Sequence, residues 1–380
     1  MSMNITIVGA GNMGLAMTGY ISYYKSEKHN ITLYTNKNIL EFGTLYVEDI
    51  EEEKTINTNK FNVTNSQDKA FADADIIFCT YPAFLREQFI NEIKEYLKEG
   101  VKIGFVPGYG GAEYICKDLI DKGITVFGLQ RVPYVARYTK TDKKITAGIL
   151  SKKKDLYVAS LPKSHTNEIA SLIESLLDIP CHGLSEYLAI TLAPSNPLLH
   201  LTGLYNAFKN YKPGMYYDKE IPFYGIWDDD TSEMLLKYDD ELQEICQKLS
   251  PLDLKEIVPL RIYYESPNKE AMTRKLKSIK SFEAVRVPLK KLENNKHIPD
   301  LESRMFIEDY PYGICIIKSF ALLTGVNTPT IDRLLKFYEL LTGIQYFNDD
   351  GSLGKDAIHT GIPFKYGLTT KQEILDFYKK

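Results

Sequence analysis

The chain is short of several things that would mark a specialised class. Its 380 residues hold five cysteines, Cys79, Cys116, Cys181, Cys246 and Cys315. The count is odd, the cysteines are far apart, and no CxxC or Cys/His ligand spacing occurs, which argues against a disulfide framework and a zinc module. These thiols are expected to act as small apolar side chains in a reduced, cytoplasmic setting, with Cys79 in a core strand. His29, His165, His182, His297 and His359 show no paired ligand spacing, and no metal site is expected. Basic excess is missing too: 46 Lys and Arg stand against 50 Asp and Glu, a net charge of −4, which speaks against a nucleic-acid partner. No run of about 18 uncharged apolar residues exists, so no membrane span is expected. No basic segment precedes the first apolar run, so that run is not read as a signal peptide. There is no internal repeat and no long low-complexity linker. The acidic run Asp228-Asp229-Asp230 reads as a solvated turn before a helix starting at Thr231, rather than as a metal site.

What is present is the composition of an ordinary soluble globular protein, 44% hydrophobic and 25% charged. The length implies two domains. The strongest local signal is Gly9-Ala10-Gly11-Asn12-Met13-Gly14, directly behind the apolar run Ile5-Thr6-Ile7-Val8 and ahead of an apolar stretch over 15–21. Strand, GxGxxG and helix in that order form a dinucleotide-binding turn. The first glycine makes the turn, the second admits a pyrophosphate, and the third lets helix and strand pack closely. The helix N-terminus supplies N–H groups and positive potential to the phosphates.

Strands are predicted at 31–34, 74–80, 101–106 and 125–129, with helices at 84–97 and 113–122 between them. Segment 44–63 is polar and β-rich and reads as an inserted hairpin. Runs at 145–150 and 155–161 suggest that the sheet continues. Beyond about residue 184 the pattern turns helical, with long runs at 232–249, 269–278 and 331–341. The expected fold is therefore α/β: a doubly wound parallel sheet of Rossmann type over 1–184, then an α-helical catalytic and substrate domain over 185–380.

The end of the second strand bears on the cofactor. NAD-selective sites place an acid about 20 residues past the glycines. Here Tyr34-Thr35-Asn36-Lys37 stands there, and no acid appears before Glu41. Thr35 and Asn36 can bond a 2′-phosphate and Lys37 can offset its charge, so NADP(H) is favoured over NAD(H). Gly9, Gly11, Asn12, Met13 and Gly14 form the rest of the expected cofactor site. Tyr81 and Pro82, at the end of the 74–80 strand, are placed with them. The turn Gly108-Tyr109-Gly110-Gly111 is read either as nicotinamide lining or as a plain strand–helix turn.

Two further segments carry chemistry. In Pro194-Ser195-Asn196-Pro197-Leu198-Leu199-His200-Leu201-Thr202-Gly203-Leu204-Tyr205, Ser195 or Asn196 can cap a helix with Pro197 in its first position. Asn196, His200 and Gly203 then share a face, and the glycine leaves room for a ligand. The helix dipole is expected to keep His200 neutral at rest. In Arg304-Met305-Phe306-Ile307-Glu308-Asp309-Tyr310-Pro311, an arginine precedes an acid pair.

The glycine fingerprint, Asn196-Pro197-Leu198-Leu199-His200, Phe223-Tyr224-Gly225-Ile226 and Arg304 through Pro311 together resemble the opine dehydrogenases of the octopine and nopaline type, across most of the chain. That resemblance implies a Rossmann domain followed by an all-helical domain like the C-terminal one of 6-phosphogluconate dehydrogenases. It places the catalytic histidine at His200, its aspartate at Asp309 and the arginine that grips a 2-oxo acid at Arg304. Asn196 and Tyr205 are assigned to substrate. Arg137, in Pro133-Tyr134-Val135-Ala136-Arg137, joins them by the same resemblance. Glu308 and Asp309 remain interchangeable at this level as the partner of His200.

The implied reaction joins an amino acid's amine to a 2-oxo acid, pyruvate first, and reduces the C=N bond with hydride. A histidine suits it because protons must leave the amine and reach the departing hydroxyl near neutral pH. A carboxylate behind the histidine fixes its tautomer, and an arginine grips a carboxylate in bidentate fashion. The expected partners are these small molecules, with the quaternary state open between monomer and homodimer. Competing readings are a hydroxyacid dehydrogenase or ketopantoate reductase of the same architecture, which generally use a lysine at the start of the helical domain, and a cofactor-binding sensor without turnover. The nearest lysine following His200 is Lys209, which disfavours the former.

Overall fold

The structure is a computed structural model that describes residues 2–39, 43–193 and 195–293 and 295–380, with only the backbone of Ser195. The chain divides into two compact units, Met1–Thr191 with Asp376–Lys380, and Leu192–Leu375. The division falls a few residues beyond the expected 184, and the last five residues return to the first unit.

The first unit contains strands β1 (Asn4–Val8), β2 (Asn30–Tyr34), β3 (Leu45–Asp49), β4 (Lys54–Thr58), β5 (Asn62–Thr64), β6 (Ile76–Cys79), β7 (Lys102–Phe105), β8 (Thr125–Leu129), β9 (Tyr134–Lys140), β10 (Ile145–Lys152), β11 (Leu156–Leu161) and β12 (Cys181–Gly183). Its helices are α1 (Asn12–Lys25), α2 (Gln67–Phe71), α3 (Ala83–Ile93), α4 (Ala112–Ile115), α5 (Lys117–Asp121), α6 (Thr166–Leu177) and α7 (Leu188–Thr191). Eight strands form one sheet in the order β12-β11-β8-β7-β6-β1-β2-β5. Every pairing is parallel except β8 with β11. All residues of β6 and β8 are buried, as parallel strands covered on both faces must be. The order reverses between β1 and β6, so the crevice where such sheets bind ligands opens at the C-terminal ends of these two strands.

Segment 145–150 does not extend that sheet as expected. It lies in β10, inside a second sheet of order β4-β3-β10-β9. The insertion at 44–63 does contain a hairpin, β3–β4. β10 pairs antiparallel with β9 across a tight turn, where the Thr141 N–H donates to the Lys144 carbonyl at 3.0 Å, and parallel with β3 on its other side. Alternation explains the arrangement: Leu45, Val47, Tyr134, Ala136, Ile145, Ala147 and Ile149 are buried together with α1 in one core. Residues Leu15 to Ser22 of α1 are consequently all buried, and Ser22 reaches Thr58 of β4 by a 3.3 Å hydrogen bond.

The second unit is helical apart from a short hairpin, β13 (Leu289–Lys291) and β14 (His297–Pro299). It holds α8 (Ser195–Phe208), α9 (Asp229–Lys248), α10 (Leu260–Tyr263), α11 (Lys269–Ser278), α12 (Arg304–Ile307), α13 (Cys315–Thr324), α14 (Pro329–Thr342) and most of α15 (Lys371–Tyr378). α9 starts two residues before the expected Thr231. Asp228 caps it, its Oδ1 accepting the Thr231 N–H at 2.8 Å, and Asp229 and Asp230 occupy the first turn, where the helix dipole favours anions. A π-helical turn, Tyr310–Ile314, joins α12 to α13. Under it runs a column of rings: Phe306 faces Tyr310 at 6.2 Å, Tyr310 faces Tyr338 at 4.1 Å, and Tyr338 faces Tyr346 at 5.5 Å. All five cysteines are buried and free. No helix among the described residues is long and apolar enough to cross a membrane.

Candidate active site

In the first unit the site begins where β1 ends. Gly9 has φ of 98°, and its N–H donates to the Tyr34 carbonyl at 3.0 Å. A Cβ there would lie 3.0 Å from Thr80 Oγ1 and from the Tyr81 ring, and one at Gly14 would run into the Gly9 carbonyl. A Cβ at Gly11 would meet nothing within 4 Å. The outer glycines therefore serve close packing, while the middle one borders open space at the N-terminus of α1. That is the cradle a pyrophosphate needs, and the residues fit a dinucleotide. Thr80, which the sequence reading passed over, tightens the cradle: its hydroxyl donates to the Val8 carbonyl at 2.7 Å. Tyr81 stands edge-on to Phe89 at 5.5 Å, and Pro82 precedes α3 at its N-cap.

The loop after β2 folds back on the glycines. Thr35 is buried, and its Oγ1 accepts the Lys37 N–H at 3.1 Å. Asn36 is exposed. The Lys37 ammonium donates to the Ala10 carbonyl at 3.0 Å and to the Tyr138 hydroxyl at 3.2 Å. Glu41, the first acid beyond this strand, lies outside the described residues. Asn12 Oδ1 accepts the Tyr138 N–H at 2.9 Å. Met13 is half-buried beside the first-unit core. Strand alternation thus brings Tyr138 of β9 to the glycine turn and leaves its neighbour Arg137 exposed on the other face, bonded to its own strand at the Ala136 carbonyl.

A fully buried arginine, Arg86, holds the neighbouring loops. It donates to the carbonyls of Tyr81 at 3.1 Å, Pro107 at 2.9 Å and Tyr109, joining the loops after β6 and β7. Its signal in the sequence was phase: Arg86 lies on the buried stripe of α3 with Ala83, Ile90 and Ile93. The Gly108–Gly111 turn is therefore tied down from within. Behind it, Glu113 accepts hydrogen bonds from Thr191 and, at 2.8 Å, from Tyr378, while its Oε2 has no partner. Burial pushes this carboxyl up to about 7.

In the second unit, α8 presents His200 to the turn after α12. His200 Nδ1 lies 2.7 Å from Asp309 Oδ2, with the imidazole partly exposed and the carboxylate buried. Burial raises the Asp309 carboxyl above its ordinary range, the nearby His200 opposes the shift, and Glu308 adds to it. Glu308 takes a different partner: its Oε2 accepts from Arg304 Nε at 2.6 Å and from Nη2. The two adjacent acids thus divide their work, Asp309 on His200 and Glu308 on Arg304.

Packing sets this geometry. Pro197 of α8 fits against Gly313 of the π turn, where a Cβ would lie 2.5 Å from its Cγ. The bare face at Gly203, expected to leave room for a ligand, is filled by the Phe223 ring. That ring stands edge-on to His200 at 6.0 Å. α8 starts at Ser195, so Ser195 and Asn196 lie within the helix rather than before it, and His200 falls in the second turn.

Asn196 is exposed one turn before His200. Tyr205 is not on this face: five residues on, it packs edge-on against Phe337 at 5.2 Å and lines a separate cleft with Lys209, Asp230 and Arg333.

A family model described as NAD/NADP octopine/nopaline dehydrogenase, alpha-helical domain, matches residues 183–342, and a ketopantoate reductase PanE/ApbA model matches residues 5–152. A tauropine dehydrogenase from Arabella iricolor is 25% identical over 98% of this chain and 99% of its own. An octopine dehydrogenase from Pecten maximus is 25% identical over 82% of this chain and 81% of its own. The solved structure of octopine dehydrogenase with NADH and L-arginine has a TM-score of 0.85 at 21% identity, covering 98% of both chains. That of apo yersinopine dehydrogenase reaches 0.69 at 15% identity, over 97% of this chain and 99% of that one. These structures show the fold, and the helical-domain model over residues 183–342, with the relatives at 25% identity, makes the chain similar to the opine dehydrogenases.

Proposed function

We propose that the protein reductively condenses the amine of an amino acid with a 2-oxo acid, pyruvate foremost, using NADPH in preference to NADH. The observation that carries this reading is the 2.7 Å bond between His200 and buried Asp309, with Arg304 held one turn away on the same segment. Because Nδ1 is engaged by Asp309, Nε2 is the nitrogen that takes the proton from the amine. The amine nitrogen then bonds to the carbonyl carbon. The same imidazolium returns a proton to the hydroxyl of the carbinolamine, which leaves as water and forms the C=N bond. Asp309 stabilises the imidazolium between these steps. Arg304 holds the oxo-acid carboxylate by charge-assisted hydrogen bonds. A nicotinamide dinucleotide held at Gly9, Gly11 and Gly14 would supply the hydride that reduces the C=N bond. Related proteins support the substrate classes: octopine dehydrogenase has been solved with NADH and L-arginine, with NADH and pyruvate, and with NADH and agmatine.

The preference for NADPH rests on Lys37. Its ammonium sits on the Ala10 carbonyl inside the glycine turn, where it can meet a 2′-phosphate, and no acid among the described residues of that loop opposes it. The match of the nucleotide half to ketopantoate reductases favours a second reading, reduction of an oxo acid alone. One assay separates the two: oxidation of NADPH and NADH with pyruvate, with and without a panel of amino acids including arginine. Oxidation that needs both substrates supports condensation. Oxidation by the oxo acid alone supports the second reading, and binding without oxidation defeats both.

A further inference from the structure

An arginine and a glutamate four residues apart on an exposed helix usually contribute little. The pair on α12 differs in its asymmetry. The Arg304 side chain is 66% exposed, whereas that of Glu308 is 3% exposed. Both contacts, from Nε and Nη2, fall on the same Oε2, with Nε at 2.6 Å. A carboxylate taken out of water is tolerated when a cation is fixed against it, and Arg304, held by two contacts on one oxygen, is such a cation for Glu308. The guanidinium is planar and rigid, so holding its Nε edge also sets the direction of its other edge, which carries Nη1. The next residue, Asp309, fixes His200 from the same turn. Successive residues there diverge by about 100°, which is why the two carboxylates serve two different partners.

We infer that Glu308 is a positioning residue for the oxo-acid site: it locks the Arg304 guanidinium so that its outer edge is offered to the substrate carboxylate at a set offset from His200. The inference rests on the proposed function and adds to it the group that makes Arg304 specific. Arg304 grips, and Glu308 never touches the substrate.

The test is steady-state kinetics of Glu308→Gln, Arg304→Ala and the double variant, with pyruvate, amino acid and cofactor varied in turn. Glu308→Gln is expected to raise the KM for pyruvate about tenfold while the KM values for amino acid and cofactor stay within about twofold. On the Arg304→Ala background it should change the pyruvate KM no further, since it acts through that side chain. An unchanged pyruvate KM in Glu308→Gln, or a full additional loss in the double variant, overturns the inference. Should Glu308→Gln not fold by circular dichroism, Glu308→Asp keeps the charge but falls short of Arg304, and the same KM split is expected. Wild-type protein that turns over no pairing defeats the proposed reaction instead. The positioning claim is then read from pyruvate binding to cofactor-loaded wild type and variant by calorimetry, where absent or equal binding overturns it.

Discussion

At the scale of residues, the chemistry rests on few atoms. His200 is bonded through Nδ1 to Asp309, and in the proposed reaction its substitution removes the proton carrier. His200→Ala is expected to lower kcat about a hundredfold or more, with NADPH affinity by fluorescence titration unchanged. Equal losses of turnover and cofactor affinity would make His200 a structural residue. Lys37 offers the complementary case. Its ammonium spans the Ala10 carbonyl and the Tyr138 hydroxyl, which holds it beside the turn. Lys37→Ala should raise the KM for NADPH about tenfold and leave that for NADH nearly unchanged. Parallel changes for both cofactors would remove Lys37 as the selectivity residue.

At the scale of elements, the question is what keeps α8 and the turn after α12 in register. Pro197 and Gly313 are in contact without a side chain between them. Gly313→Ala places a methyl 2.5 Å from Pro197 Cγ, so the first turn of α8 must shift. Overpacking of this kind costs about 1–3 kcal/mol. The variant should melt at lower temperature in a thermal scan and lose kcat through a loosened His200–Asp309 bond, with cofactor KM unaltered. A stable variant with unchanged kcat would show that the π turn yields without moving Asp309. The sequence marked Gly203 as space for a ligand. Which ring or proline fills the space beside a glycine depends on segments far away in the chain, here Phe223 and Pro197.

At the scale of the whole molecule, the chain leaves the nucleotide unit at Thr191 and returns to it at Asp376. Thr191 and Tyr378, beside those two points, both bond to Glu113. Burial raises this carboxyl from 4.5 to about 7, so folding takes up a proton between those values. Its contribution to stability is complete below the unfolded value and is lost as pH rises through about 7. Glu113→Gln cannot ionise. Its melting temperature should therefore fall less than that of the wild type between about pH 5 and pH 8. Parallel pH profiles would show that Glu113 is ionised in the native state throughout.

The sequence by itself determined the glycine turn, the alternation of strand and helix in the first half and the helical second half. Each is written in neighbouring residues, since turn chemistry, periodicity and motif spacing are local. Tertiary structure alone decided the rest. It chose Asp309 over Glu308 for His200, because burial and direction at consecutive helical positions differ. It sent 145–150 to a second sheet, because strand partners are selected by which apolar faces meet α1. It set the Tyr138 side chain, not that of Arg137, beside Lys37 at the glycine turn, because side chains alternate across a strand and only the pairing of that strand says which face turns inward.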